Sequence, residues 1–175
     1  MKSEAVGHSF EEYVGARGPA LLRFGYVLTG DRHLSEDLVQ EALTRVYGRW
    51  SRISALDHPD ASVRKVIVND FLSWKRRRAS RLLFLAEPPD DASSERDGAD
   101  HAAAHAERDA MWRLLAQLPR QQRAVLVLRF YEGWTDDQIA PVVHCSSATV
   151  RAHASKALAR LRTVATSPSI LNGVE

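Results

Sequence analysis

Small polar and basic residues are spaced along 135–162 in a way that suits contact with duplex DNA. The segment TDDQIAPVVHCSSATVRAHASKALARLR has the proportions of a helix-turn-helix, whose second helix can enter the major groove. Its apolar residues would pack the two helices together: Ile139, Val142, Val143, Val150, Ala154 and Leu158. The residues at the start of the second helix that would face DNA are Ser146, Ser147, Thr149, Arg151, His153 and Lys156. The short side chains permit close approach, and the basic ones reach phosphates or guanine edges. A helical hairpin with a basic surface is the alternative interpretation.

A second basic segment, residues 62–81, holds seven basic residues and one acidic residue. Four basic residues follow one another near its end, Lys75, Arg76, Arg77 and Arg78, and they would make an anion site at the end of a helix. Asn69 lies beside the basic face, and its amide can read a base edge by paired hydrogen bonds. Phe71 and Trp74 could stack on bases, but they share a stripe with Val63 and Ile67, which favours core packing.

The charge alternates in sign along the chain. Residues 1–81 carry 14 basic and 10 acidic residues, and 111–175 carry eight and four, so each block has a net charge of +4. The segment 82–110 has two basic and eight acidic residues, a net charge of −6, and is rich in Pro, Ser, Ala and Asp. Such a segment cannot bury enough apolar surface to offset its ordering entropy. We therefore predict a flexible acidic linker at 82–106 between two modules that bind a polyanion.

Helical periodicity dominates outside the linker. Gly18-Pro19 is expected to interrupt the first helical stretch, and 51–60 to form a loop. The run 124–128 could pass for a strand, but its flanks favour a helix over 120–132 that Gly133 ends. Thr135 is expected to cap the next helix. The fold class is thus all-α, with two small helical domains at 8–81 and 107–165.

Composition excludes several classes of protein. A chain of 175 residues with one cysteine has no internal disulfide, and its longest apolar runs are too short to cross a bilayer. The start, MKSEAVGHSFEEY, has no apolar block typical of a signal peptide, so a cytosolic location is expected. No catalytic motif stands out, and we expect neither enzymatic activity nor a cofactor. His101 and His105 lack a third ligand for a metal. Cys145 is expected to be a small packing residue rather than a redox switch.

Taken together, the two halves resemble an extracytoplasmic-function sigma factor of bacterial RNA polymerase, in the sigma-70 family. DRHLSEDLVQEALTRVYGRW and SVRKVIVNDFLSWKRRR are similar to sigma region 2, and LPRQQRAVLVLRFYEGWTDDQIA with its helix-turn-helix is similar to region 4. The resemblance covers about Phe10 to Arg162 apart from the linker. It implies a promoter-specificity subunit that binds core polymerase and opens DNA.

The resemblance also implies roles for particular residues. Asp37, Gln40 and Glu41 would contact the clamp helices of the polymerase's largest subunit, although periodicity alone favours a merely solvated face. Asn69, with loop 51–61, would hold a flipped base of the −10 element, supported by the basic cluster 75–78. The helix-turn-helix would read the −35 element as duplex, and helix 120–132 would take the flap tip of the second-largest subunit.

Departures from the family pattern concern the helix-turn-helix. Pro141 should kink or shorten its first helix, and His144 stands where a glycine is usual in a left-handed turn. One alternative is a DNA-binding regulator that uses only the helix-turn-helix, and another is an adaptor that binds polymerase without DNA. Residues 31–81 distinguish a sigma factor from such a regulator, because a regulator needs neither a core-binding surface nor a melting helix. Only 13 residues follow Arg162, so control is expected from a separate protein, such as an anti-sigma factor, or from expression level.

Overall fold

The computed structural model describes residues 9–84, 111–112 and 114–166, apart from the side chains of 74–84, 165 and 166. Every regular element in these residues is helical, and the chain divides into two compact units, Met1–Ala86 and Glu87–Glu175. The expected all-α fold with two small helical domains is confirmed. Of the predicted linker, 85–106 lies outside the described residues. None of the helices in the described part has the length and apolarity of a membrane span.

Local capping signals set the first helices. Helix α1 (Phe10–Thr29) begins with a capping box. The Ser9 hydroxyl accepts a hydrogen bond from the Glu12 N–H, and the Glu12 carboxylate accepts one from the Ser9 N–H. It ends at Gly30 in the left-handed conformation. Helix α2 (Arg32–Tyr47) is capped by Asp31, whose carboxylate accepts from the Leu34 N–H at 2.8 Å. The one-turn helix α3 (Trp50–Ile53) and the long α4 (Pro59–Phe84) follow.

The core of this unit lies between α1, α2 and α4. Its most buried large side chains come from all three helices: Leu21, Phe24, Leu28, Val46, Val63, Ile67 and Val68. The α1–α2 approach is close at Gly25, where an added Cβ would lie 2.8 Å from the Ser35 Oγ and 2.9 Å from the Val39 Cγ2. The Ser35 hydroxyl donates to the Leu22 carbonyl at 2.8 Å across the same contact. Any side chain at position 25 would therefore have to displace Ser35 or Val39.

Two expectations about this unit were wrong. Helix α1 runs through Gly18-Pro19 without a break. Proline costs about 3 kcal/mol in a helix interior, but the apolar stripe that buries Tyr13, Leu21 and Phe24 continues on both sides and outweighs that loss. The predicted loop 51–60 is also partly helical, because α3 occupies Trp50–Ile53 and Pro59 begins α4, where its missing N–H costs nothing.

The C-terminal unit contains α5 (Arg120–Leu126), a π-helical turn (Val127–Tyr131), α6 (Asp136–Ile139) and α7 (Ser147–Thr166). Residues 111–112 and 114–116 are also helical. Its fully buried apolar side chains come from every element after Pro119: Val125, Leu128, Ile139, Val143, Val150 and Ala157. The helical interpretation of 124–128 is thus confirmed over the strand.

The π-helical turn was not predicted. The Glu132 N–H donates to the Val127 carbonyl at 3.1 Å, five residues back, and Gly133 then ends the helix with a φ of 73°. All residues from Gln122 to Leu128 are buried, so no periodic pattern marks where the helix widens. The turn leaves Phe130 65% and Tyr131 46% exposed.

Candidate nucleic-acid interface and partner surface

Helices α6 and α7 form the predicted helix-turn-helix. The Thr135 hydroxyl accepts from the Gln138 N–H at 3.3 Å, and the Gln138 side chain accepts from the Thr135 N–H at 2.9 Å, so Thr135 caps α6 as expected. The helix ends at Ile139, two residues before Pro141, which confirms the expected shortening. His144 adopts a φ of 56°, the left-handed conformation that the turn requires. The turn is closed by the Cys145 N–H, which donates to the Ala140 carbonyl at 3.1 Å.

The start of α7 presents most of the predicted DNA-contacting residues to solvent. Four of the six are exposed: Ser146, Thr149, Arg151 and Lys156. Ser147 and His153 are half-buried, and the His153 Nδ1 is buried without a hydrogen-bond partner in the described part of the chain. Ser146 is engaged locally, because its hydroxyl accepts from the Thr149 N–H at 3.1 Å and caps α7. Of the predicted packing residues, Leu158 is only half-buried, and Ala157 fills the core in its place.

Two acidic residues of α6 contact this surface, and the sequence pattern did not predict these contacts. Both carboxylate oxygens of Asp136 accept from the Arg129 Nη2, at 2.6 and 2.7 Å, and one of them lies 3.8 Å from the Arg151 guanidinium. Asp137 accepts a hydrogen bond of 2.5 Å from the Ser147 hydroxyl. Acids in a first helical turn are explained by the helix dipole alone, so the sequence carried no signal for these contacts.

The predicted core-binding residues share one face of α2. Asp37 and Gln40 are exposed, and Glu41 is half-buried. Glu41 accepts from Arg45 at 2.9 Å, and Arg45 also donates at 2.5 Å to Asp70, which is only 3% exposed on α4. One guanidinium therefore joins the α2 face to the helix that carries Asn69. Sequence reasoning missed this bridge because its ends lie 25 residues apart.

An apolar groove of about 400 Å³ adjoins the same face. It lies between α1 and α2, and its apolar walls come from Phe10, Val14, Leu22, Val39, Leu43 and Tyr47. Glu36, Gln40 and Thr44 line it as well, so its rim carries polar groups. This half-open surface suits a partner helix with apolar and basic side chains.

The candidate −10 surface on α4 is described in part. Val63, Ile67 and Phe71 are buried as core residues, as predicted, and Asn69 is half-buried next to the buried Asp70. The backbone of α4 is helical as far as Phe84. The side chains of Trp74 and of the basic cluster Lys75, Arg76, Arg77 and Arg78 lie outside the described residues.

A polar cluster anchors the start of α4, directly after the short segment that follows α3. The Tyr13 hydroxyl donates to the Asp60 Oδ1 at 2.7 Å, and the Arg64 guanidinium donates to the Oδ2 at 2.8 Å. Burial raises the pKa of Tyr13 above its usual range, and its hydrogen bond to Asp60 adds to the effect. Burial alone would raise the pKa of Asp60, but hydrogen bonds from Tyr13 and Arg64 lower it below its usual value. Trp50 packs on Tyr13 with ring centroids 4.7 Å apart, so α3 is held to the same cluster.

The remaining reactive groups offer little chemistry. Burial raises the pKa of the Cys145 thiol, which opposes the thiolate that a redox switch needs. No group of three or more metal-ligating side chains occurs among the described residues. His101 and His105 lie outside them.

The geometry defines a class: a two-module helical protein with a helix-turn-helix in its second module. The family models for sigma-70 region 2 and sigma-70 region 4 match residues 13–81 and 108–161. The RNA polymerase sigma-E factor of Streptomyces coelicolor is 38% identical over 153 residues, 87% of this chain and 84% of that protein. The ECF RNA polymerase sigma factor SigL of Mycobacterium tuberculosis is 28% identical over 142 residues, 81% and 80% of the two chains.

A solved structure has the same fold. The sigma factor RpoE of Bartonella quintana, determined in complex with the anti-sigma factor NepR, aligns with a TM-score of 0.68 at 22% identity, over 91% of this chain and 98% of that one. The chain belongs to the sigma-70 family of RNA polymerase sigma factors, in its extracytoplasmic-function group. It is a transcription initiation factor that binds core polymerase and promoter DNA. A regulator with only a helix-turn-helix is not favoured, because the region 2 match accounts for the first module.

Proposed function

We propose that the two modules divide promoter recognition between them, with α2 on core polymerase, α4 at the −10 element and α7 at the −35 element. The observation that carries this proposal is that one chain has both an exposed polar face on α2 and a helix-turn-helix. The basic helix α7 of that helix-turn-helix exposes Arg151 and Lys156 to solvent. The first surface suits a protein partner, and the second suits duplex DNA.

Core binding uses Asp37, Gln40 and Glu41 against the clamp helices of the largest subunit. The α1–α2 groove beside them supports this role, because a carboxylate face next to an apolar groove fits a basic amphipathic helix. The exposed Phe130 and Tyr131 support a contact of the second module with the flap tip.

Recognition of the −10 element uses Asn69, loop 51–61 and the basic cluster 75–78. Unstacking a base costs about a few kcal/mol, and phosphate contacts by the basic residues would offset part of it. The Tyr13–Asp60–Arg64 cluster supports a base pocket here, because it fixes the junction of the loop with α4. The −35 element is read by Ser146, Ser147, Thr149, Arg151, His153 and Lys156.

The chain has no catalytic role in this proposal, since the polymerase performs the chemistry and no cofactor is involved. It acts in the cytoplasm, where the polymerase and the promoters are. A separate protein that controls this chain would be an anti-sigma factor, and we propose that it covers the α1–α2 groove.

Run-off transcription with core polymerase and a random-promoter DNA library tests the proposal. Wild-type protein should give transcripts that start at discrete sites, and the triple variant Asp37→Ala, Gln40→Ala, Glu41→Ala should give none. A matched triple variant of exposed residues in the same module, Glu11→Ala, Arg23→Ala and His33→Ala, should behave as wild type. Specific duplex binding without any discrete start would refute the sigma mechanism in favour of a regulator.

A further inference from the structure

The acids of α6 lie behind two of the residues with which α7 would contact DNA. Asp136 and Asp137 are the first two residues of α6, and each contacts a different residue of α7. Asp136 lies 3.8 Å from Arg151, and Asp137 accepts from Ser147 at 2.5 Å. These are the two acidic residues of α6, so both of its negative charges have a contact with the recognition helix.

The Asp136 carboxylate is fixed in place by its other partner. Arg129, in the π-helical turn, donates to both carboxylate oxygens, and the Arg129 and Asp136 side chains are 29% and 16% exposed. Arg151 is 62% exposed and lies farther away, so its pairing with Asp136 is the weaker one. The Arg151 side chain thus has a competing anchor that any phosphate must displace.

We infer that Asp136 and Asp137 are positioning residues that raise the selectivity of −35 recognition, by restraining Arg151 and Ser147 from the protein side. This inference rests on the proposed role of α7. A free arginine binds every phosphate, and such contacts add affinity without sequence information. A restrained arginine can present its remaining N–H groups to the paired acceptors of guanine while it stays beside its carboxylate, whereas it must leave the carboxylate to bind a phosphate. The Ser147 hydroxyl, held by Asp137, keeps one orientation at the start of α7.

The test compares two duplexes bound by the full chain assembled with core polymerase. One carries the upstream sequence of a start site found by run-off transcription, and the other has that sequence scrambled. Asp136→Asn should raise affinity for the scrambled duplex at least threefold and so lower discrimination. The slope of log affinity against log salt concentration should steepen by about 0.9, the value for one added phosphate contact. In the Arg151→Ala background, the same change should leave the slope unaltered.

A matched control separates this effect from loss of charge in general. Glu11→Gln removes an exposed carboxylate on α1, outside the proposed DNA and polymerase surfaces, and should leave both discrimination and slope unchanged. A merely structural role for Asp136 would weaken binding to both duplexes without steepening the slope. That result, or equal effects of Asp136→Asn and Glu11→Gln, would overturn the inference. A wild-type protein that does not discriminate the two duplexes would instead refute the proposed function of α7.

The second acid gives an independent test if Asp136→Asn does not fold. Asp137→Ala and Ser147→Ala remove the same hydrogen bond from opposite ends, so each should lower discrimination about threefold to tenfold. The double variant should be no worse than the stronger single variant. Fully additive losses would show that the two side chains act separately, which contradicts restraint of Ser147 by Asp137.

Discussion

Replacing Tyr13 by Phe should loosen the junction between α1 and the start of α4. The change removes one hydroxyl and keeps the ring against Trp50. A hydrogen bond to a charged group contributes about 1.5–3 kcal/mol. Asp60 is 28% exposed and keeps Arg64 as a partner, so we expect the lower end, about 1.5 kcal/mol. For a module of this size that is a fall in melting temperature of about 6–12 °C at neutral pH.

The effect should depend on pH in a defined direction. The pKa of Tyr13 is raised by burial, so the neutral phenol stabilises the fold fully below about pH 10, and this contribution is lost as pH rises above that value. The pKa of Asp60 is lowered by its hydrogen bonds, so its contribution is present above about pH 4 and is lost as pH falls further. The difference between wild type and Tyr13→Phe should therefore be largest between these limits and shrink on both sides.

Urea unfolding followed by pulsed hydrogen exchange and mass spectrometry of α1 and α4 peptides measures this module separately from the other. Val14→Ala, a change on the same helix outside the cluster, serves as the control, and its effect should not vary with pH. A Tyr13→Phe variant as stable as wild type at pH 7, or a difference that stays constant up to pH 11, would refute the reasoning.

Other changes test the remaining contacts. Arg45→Met removes the cation beside the buried Asp70 and should lower the free energy of unfolding in urea by about 3 kcal/mol. Glu41→Gln removes the more exposed partner of Arg45 and should lower it by under about 1 kcal/mol. Equal losses would contradict the bridge from Arg45 to Asp70. Gly25→Ala should cost about 1–3 kcal/mol by overpacking the α1–α2 contact, with the open Gly15→Ala as control, which should be neutral or stabilising. His144→Gly should raise the free energy of unfolding of the second module by about 0.5–1 kcal/mol in thermal unfolding, because the left-handed conformation strains a residue with a Cβ. A lower free energy of unfolding would contradict this explanation.

Features encoded locally were predictable from the sequence. Thr135 lies next to the helix that it caps, Pro141 limits the helix that contains it, and His144 occupies a turn whose geometry follows from its neighbours. The exposed positions of Asp37 and Gln40 followed from helical periodicity. Such signals act within one or two turns of a helix, which is the range over which a sequence pattern determines backbone conformation.

Features that depend on packing between helices were not predictable. The hydrogen bond from Tyr13 to Asp60 joins residues 47 positions apart, and it exists only because α1 and α4 pack together. The passage of α1 through Pro19 depends on burial that no local propensity includes. The space limit at Gly25 likewise comes from α2, so the sequence alone shows a glycine with no evident purpose.

The π-helical turn bears on how the chain length of the second module can vary. A π-helical turn holds one residue more than an α-helical turn while advancing the chain by a similar distance. Removal of one residue from Val127–Tyr131 would therefore restore an α-helix without pulling α6 away from the buried end of α5. A deletion in the evenly wound α7 would instead rotate every later side chain by about 100°. Related sequences should thus differ in length within this turn more readily than within the recognition helix.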